Sequence, residues 1–207
     1  MPSSRIGLIP DPDPGDTMAL MRLFTGLDLP GEVVRNLEAL LERLRPAARI
    51  QWIPPANLHV TTKFIGDWQE ERLPELKAAL AGLPERPDIE VAVAKAGFYP
   101  HERAARIFWC GIEAQGLDAL VADTGQAASS LGIAREKRPY SPHLTLGRIS
   151  RKTADRLDLR PLHSAIAAVQ PLEFGRFSAR SFFLYRSQLR PTGSVYTKLA
   201  EFPFSKR

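Results

Sequence analysis

Two histidines in this chain are each followed, two residues later, by a threonine. His59 and Thr61 lie in the segment "NLHVTTKFIG", and His143 and Thr145 lie in "SPHLTLGRIS". In a β-strand, side chains at positions i and i+2 point to the same face of the sheet. If both segments are strands, each presents an imidazole beside a hydroxyl group.

Two imidazoles and two hydroxyls suit phosphoester chemistry that needs no metal or other cofactor. Near neutral pH one imidazole can be neutral and accept a proton while the other is charged and donates one. Threonine hydroxyls can hydrogen-bond the non-bridging oxygens of a phosphate. A zinc site is the competing interpretation, but no H-E-x-x-H or similar carboxylate-bearing motif accompanies either histidine. The other histidines, His101 and His163, lack the pattern and are expected to be structural or surface residues.

Strict alternation makes further predictions for the charged residues near the two motifs. Lys63 should share the face of His59, where its positive charge could bind the phosphate. Arg148 should lie on the face opposite His143, and it can join that histidine only if the strand ends or bulges near Gly147.

The rest of the sequence predicts an α+β fold with two similar lobes that form a shared cleft. Helical spacing of apolar residues predicts helices over "GEVVRNLEALLERLR", "LPELKAALAGL" and "GLDALVADTGQAASSLG", and a polar helical stretch begins near Thr153. Apolar segments between them read as strands, two of them near the C-terminus. The order strand, helix, His-x-Thr strand, helix occurs twice, which predicts one His-x-Thr strand in each lobe. Residues 1–17, rich in Pro and Asp, are expected to be a flexible arm, and residues 18–207 a single bilobal domain.

Composition limits the classes of function. The formal net charge of +5 and the pI near 9.6 favour contact with polyanions. The single cysteine, Cys110, excludes an intramolecular disulfide and lies in an apolar run typical of a buried thiol. No apolar run approaches the roughly 20 residues needed to cross a bilayer. We therefore expect a cytoplasmic protein without membrane contact.

The two motifs with their flanking residues resemble the 2H phosphoesterases, specifically the RNA 2′,3′-cyclic phosphodiesterase family, also called 2′-5′ RNA ligases. The segments "RLFTGLDLP", "NLHVTTKFIGD", "RIFWCGI", "RPYSPHLTLGRI" and "SQLRPTGSVYTKLAEFPF" are similar to family segments, so the resemblance extends from about residue 21 to residue 204. The Pro/Asp-rich arm has no counterpart.

This resemblance implies a function and roles for individual residues. The family hydrolyses a terminal 2′,3′-cyclic phosphate of RNA to a 2′-phosphate without a metal, and a 5′-hydroxyl in place of water would give 2′-5′ ligation. His59 would be the acid that protonates the 3′ oxygen and His143 the base that activates water. Thr61 and Thr145 would bind the phosphate, as would Arg148.

Other residues have a possible role in RNA binding beside an ordinary structural one. Phe24 and Tyr140 could stack on a base, although core packing explains either ring. Arg135, Lys137 and Arg138 precede the second motif and could guide RNA phosphates, although such a run is usually solvated surface.

Two alternative functions remain open at this point. One is a non-catalytic RNA-binding module, and the other is a phosphodiesterase of small cyclic nucleotides or of ADP-ribose-type cyclic phosphates. The expected partner is an RNA with a 2′,3′-cyclic phosphate end, and the expected state is a monomer.

Overall fold

The computed structural model describes residues 19–151, 157–169, 171–191 and 193–205. The predicted N-terminal arm, residues 1–17, lies outside the described residues, as does the start of the predicted polar helical stretch near Thr153. Within the described residues the chain forms nine strands and four α-helices. The strands are β1 (Leu20–Leu27), β2 (Gln51–Trp52), β3 (Val60–Gln69), β4 (Ile89–Tyr99), β5 (Ile107–Ala114), β6 (His143–Arg148), β7 (Glu173–Ala179), β8 (Ser181–Arg190) and β9 (Gly193–Pro203). The helices are α1 (Gly31–Leu44), α2 (Leu73–Ala81), α3 (Leu117–Ser130) and α4 (Arg160–Ala167).

Helix α1 forms where the sequence pattern predicts it. Pro30 precedes its first turn, where the missing N–H costs nothing, and a short 3-10 turn containing Pro46 follows its end. Its apolar residues recur at intervals of three and four and are buried on one face: Val33, Leu37, Leu40, Leu41 and Leu44. The helix is therefore held by burial of an amphipathic face.

Two antiparallel sheets form the lobes. The first lobe has the strand order β3-β1-β8-β9, and the second has the order β2-β6-β5-β4-β7. In each lobe the strand before a helix pairs with the following His-x-Thr strand, because β1 pairs with β3 and β5 pairs with β6. The predicted two-lobed α+β fold with one motif strand in each lobe is confirmed.

The lobes are not consecutive halves of the chain, however. The first lobe takes its outer strands β8 and β9 from the C-terminal end, while β4 from the middle of the chain joins the second lobe. Helices also cross between the lobes, since α1 packs against β7 of the second lobe and α3 against β3 of the first. One hydrophobic core includes buried residues of both sheets, among them Leu23, Leu184, Phe108 and Leu144. The shared core and the crossed helices fix the two motif strands relative to each other.

Candidate active site

Both motif histidines are oriented by the same local hydrogen bond. Nδ1 of His59 lies 2.7 Å from the carbonyl oxygen of Asn57, and Nδ1 of His143 lies 2.8 Å from that of Ser141. A carbonyl can only accept, so Nδ1 must carry the proton in each ring and Nε2 is the nitrogen left for chemistry. Nε2 of His59 lies 2.9 Å from Oγ1 of Thr61, which donates to it when the ring is neutral. The predicted pairing of imidazole and hydroxyl is thus present at the start of β3, with His59 one residue before the strand.

Aromatic rings surround His59. Phe24 lies under the imidazole with 4.6 Å between ring centroids and stacks on Tyr185 at 4.9 Å, while Tyr196 meets the imidazole edge-on at 5.2 Å. Phe24 is only 3% exposed. Its predicted role in base stacking is wrong for this conformation, because the ring is already covered by its neighbours. Phe24 instead supports the histidine.

This environment lowers the pKa of His59. Burial is the main cause, since the charged imidazolium loses hydration, and the positive field of Arg148 and the neighbouring His143 act in the same direction. The hydrogen bond to Asn57 and the carboxylate of Asp28 oppose the shift. The two motif histidines and Arg148 are therefore electrostatically coupled across the cleft, by which we mean the exposed space between β3 and β6.

A bulge in β3 changes the faces that alternation predicts. Thr61 faces Gly26 of β1 but Lys63 faces Thr25, so Thr62 is an extra residue in the ladder. Gly26 and Thr25 are consecutive and point to opposite faces of β1, so their partners do as well. The prediction that Lys63 shares the face of His59 and Thr61 is wrong for this reason.

Lys63 and Tyr140 instead tie the two motif regions together. The side chain of Lys63 is 3% exposed, and its Nζ donates to the carbonyl of Ala134 at 2.8 Å and lies 3.3 Å from a carboxylate oxygen of Glu136. Tyr140 donates its hydroxyl to the carbonyl of Thr61 at 2.8 Å, and its half-buried ring packs on the core. The hydrogen bonds of Lys63 and Tyr140 both join β3 to the segment that leads into β6. The structure gives these two residues a clamping contact in place of the predicted phosphate and base contacts.

A second bulge has the opposite consequence for Arg148. Thr145 faces Trp109 of β5 and Arg148 faces Ile107, while Leu146 is the extra residue. Ile107 and Trp109 are two apart and share a face, so Arg148 joins Thr145 in the cleft. The sequence predicts that Arg148 can join His143 only if the strand ends or bulges near Gly147. The bulge is present at Leu146, one residue earlier.

Phe64 is a cleft residue that the sequence motifs do not identify. Its partner on β1 is Phe24, and the partner of Thr61 is Gly26. Phe24 and Gly26 are two residues apart and share a face, so Phe64 points into the cleft with Thr61. Phe64 is 59% exposed. Phe64 follows Thr61 by three residues, as Arg148 follows Thr145, and in both strands a bulge between the two brings the third residue round. That shared spacing is the signal that could have identified it.

The basic run before the second motif is exposed, as its solvated interpretation predicts. Arg135 bonds Gln126 of α3 at 2.6 Å, and Arg138 donates to the hydroxyl of Tyr99 at 3.0 Å. Lys137 is also exposed.

Residues expected to be structural lie outside the cleft. His163 packs its ring 4.8 Å from that of Phe98 and lies 3.8 Å from a carboxylate oxygen of Glu102. Cys110 is buried, and burial raises its pKa to about 12. In the part of the chain that the structure describes, no three His, Cys, Asp or Glu side chains come together as a set of metal ligands.

Comparison with known proteins assigns the family. The family described as LigT-like phosphoesterase matches residues 27–109 and 112–196, which include both motifs and most of the described strands. The chain belongs to the LigT-like phosphoesterase family. A solved structure of this fold from Thermus thermophilus superposes with a TM-score of 0.73 at 28% identity, over 89% of this chain and 98% of the other.

Several curated relatives carry the name RNA 2′,3′-cyclic phosphodiesterase, among them the two that follow. The protein from Methanocaldococcus jannaschii is 31% identical over 182 residues, covering 87% of this chain and 99% of the relative. The protein from Thermus thermophilus is 32% identical over 192 residues, covering 88% of this chain and 89% of the relative. The resemblance noted from the motifs is thereby confirmed at the level of the family. Among the described residues, no helix has the length and apolar character needed to cross a membrane.

Proposed function

We propose that this protein is an RNA 2′,3′-cyclic phosphodiesterase that opens a terminal cyclic phosphate to a 2′-phosphate by acid–base catalysis. The observation that carries the proposal is the paired arrangement of the motifs. Each motif fixes an imidazole through Nδ1 and leaves Nε2 for a proton transfer, and the two imidazoles are coupled across one cleft. The names of the full-length relatives support the same reaction.

The roles of the residues follow the direction of the reaction. His143 takes a proton from water, whose oxygen forms a bond to phosphorus, and the bond from phosphorus to the 3′ oxygen breaks as His59 protonates that oxygen. Thr61, Thr145 and Arg148 donate hydrogen bonds to the non-bridging oxygens, where negative charge is held through the transition state. If a 5′-hydroxyl replaces water, the same displacement forms a 2′-5′ linkage.

Substrate binding supplies the proton state that His59 needs. Burial lowers its pKa, so in the unliganded protein the ring is neutral near pH 7 and accepts from Thr61. A bound cyclic phosphate is an anion, which raises the pKa of a nearby imidazole. It also draws the Thr61 hydroxyl towards its own oxygens, which leaves Nε2 of His59 for a proton. The acid therefore forms in the complex.

The exposed ring of Phe64 supplies a base contact on the wall of the first lobe. It stands on the same face as Thr61 and is largely open to solvent. Aromatic rings beside a phosphate site stack on bases with little regard to sequence. We assign binding of the terminal base to Phe64.

We further infer a monomeric, cytoplasmic enzyme. Its net charge of +5 favours binding of RNA ends.

Single histidine replacements test the proposal. His59→Ala and His143→Ala should each lower kcat for a short RNA with a 2′,3′-cyclic phosphate by two to four orders of magnitude, the usual loss for an acid or base, roughly 10²–10⁴-fold. His101→Ala is the matched control, because His101 lies outside the cleft motifs and should keep full activity. Near-normal turnover in both motif variants would overturn the acid–base assignment. Tight RNA binding without turnover in the unmodified protein would favour the non-catalytic alternative.

A sulfur substitution tests which histidine is the acid. When sulfur replaces the bridging 3′ oxygen of the cyclic phosphate, the leaving thiolate needs no proton. The His59→Ala variant should then recover much of its lost rate, while His143→Ala should remain slow because water still needs a base. Recovery in His143→Ala instead would reverse the two roles.

A further inference from the structure

A second aromatic side chain lies on the opposite wall of the cleft. Trp109 of β5 is the ladder partner of Thr145, and cross-strand partners point to the same face, so its side chain leaves the sheet on the face of the second motif. It is half-buried and is not among the residues that form the hydrophobic core or pack against it. Folding of the core does not account for this large ring.

The indole lies across Gly97. A Cβ atom on Gly97 of β4 would be 2.6 Å from Cζ2 and 3.0 Å from Cε2 of Trp109. Glycine inside a strand weakens the strand and often marks a place where a ring or ligand must approach the backbone closely. The missing side chain at Gly97 lets the indole lie down on the sheet, where the half-buried ring keeps partial contact with solvent.

The ring leans away from Thr145 towards β4. Since β6, β5 and β4 are successive strands, Gly97 stands two interstrand spacings from the second motif strand, or about 9.5 Å. The surroundings of the indole are aromatic and basic. Tyr99 is on the same face, 49% exposed, and its hydroxyl accepts from the exposed Arg138 at 3.0 Å.

We propose that Trp109 stacks on the base of the nucleotide immediately 5′ of the cyclic phosphate nucleotide, with Arg138 facing the phosphodiester that joins the two. The inference rests on the proposed function and deepens it, because it names the substrate class as an RNA end of at least two nucleotides. Phe64 on the first lobe meets the terminal base, and the indole lies too far from Thr145 along the second sheet to serve the same nucleotide. Stacking of this kind tolerates any base.

Three substrates test the subsite. They are uridine 2′,3′-cyclic phosphate, the dinucleotide ApU with a 2′,3′-cyclic phosphate, and the same dinucleotide with an abasic first residue. Stacking on one ring should make kcat/KM for the dinucleotide roughly 5- to 150-fold higher than for its abasic form. Trp109→Leu should remove that advantage and leave the mononucleotide rate unchanged, and Trp109→Phe should keep most of it. An equal loss on mononucleotide and dinucleotide, or no loss on either, would overturn the proposal.

Fluorescence separates failure of the subsite from failure of the proposed reaction. The chain has three tryptophans, of which Trp68 is buried and Trp52 donates its indole N–H to the carbonyl of Ala48. ApU with a 2′-phosphate should quench the emission of the unmodified protein, and Trp109→Phe should abolish that quenching, whether or not the protein turns over any substrate. Equal quenching in both proteins would exclude Trp109 as the stacking residue.

Discussion

Replacement of Lys63 tests whether the bulge in β3 turns this side chain away from the cleft. The substitution Lys63→Met keeps the apolar stem and removes the ammonium group that binds the carbonyl of Ala134. If Lys63 clamps the two motif regions, the loss is one of stability. If it binds phosphate, as its sequence position predicts, the loss is one of substrate affinity.

The expected magnitude follows from the contacts of the ammonium group. A hydrogen bond that involves a charged group contributes about 1.5–3 kcal/mol. The partner Glu136 is 63% exposed, so that ion pair adds only about 0.5 kcal/mol or less. Methionine avoids the cost of burying a charge, which offsets part of the loss. We expect a decrease in the free energy of unfolding of about 2 kcal/mol, which lowers the Tm of a 207-residue chain by roughly 4–8 °C.

The assay combines thermal unfolding with binding of the product. Tm is followed by circular dichroism, and the affinity for an RNA with a 2′-phosphate is measured below the melting range, where it should change by about twofold or less. Lys95→Met is the matched control, since the Lys95 side chain is 73% exposed, its ion pair with Glu113 is on the surface, and Tm should hardly move. An unchanged Tm for Lys63→Met together with a tenfold or greater loss of product affinity would refute the clamp.

Three further predictions concern the cleft. The pKa of His59 should be lower in the pH profile of kcat/KM, which reports the free protein, than in the pH profile of kcat. Burial lowers this pKa in the free protein, and a bound anion raises it in the complex. Coincident profiles would contradict this coupling. Arg148→Ala should reduce kcat by roughly 10²–10³-fold. Arg148→Lys should recover only part of the lost kcat, because lysine keeps the charge but lacks the planar guanidinium group. Full activity of the alanine variant would place Arg148 outside the site. Phe64→Ala should lower kcat/KM by roughly 5- to 150-fold, whereas Phe64→Tyr, which retains an aromatic ring, should keep kcat/KM unchanged. Equal losses in both variants would exclude stacking.

The chemistry of the site could be predicted from the sequence because it depends on local geometry. His59 with Thr61, and His143 with Thr145, need only an extended backbone to share a face. His143 begins β6, and His59 directly precedes β3. The helix over residues 31–44 was also predictable, since its apolar face follows directly from residue spacing. These features require no information from distant parts of the chain.

The bulges could not be predicted in the same way. Thr62 and Leu146 are ordinary strand residues, and nothing in their type marks them as extra residues in a ladder. Each bulge depends on the neighbouring strand, and Thr62 is held there by a 2.7 Å hydrogen bond between its hydroxyl and that of Thr25 on β1. One such residue reverses the faces of Lys63 and Phe64.

Burial of the Phe24 ring could not be predicted from the sequence either. The sequence supplies Phe24 in the first strand, but the rings that cover it belong to β8 and β9 at the far end of the chain. The pairing of β8 with β1 is a long-range contact that no local pattern specifies. The sequence therefore offers Phe24 as a residue that could stack on a base and does not indicate that Phe64 is the exposed aromatic residue.

The proposed reaction can be tested by incubating the protein, in the presence of EDTA, with a short RNA that ends in a 2′,3′-cyclic phosphate, and identifying the product. The expected product is an RNA with a 2′-phosphate. That product would establish the bond cleaved and the independence from added metal in a single experiment. A 3′-phosphate would contradict the assignment of the leaving oxygen, and no product until a divalent metal is restored would contradict the two-histidine mechanism itself.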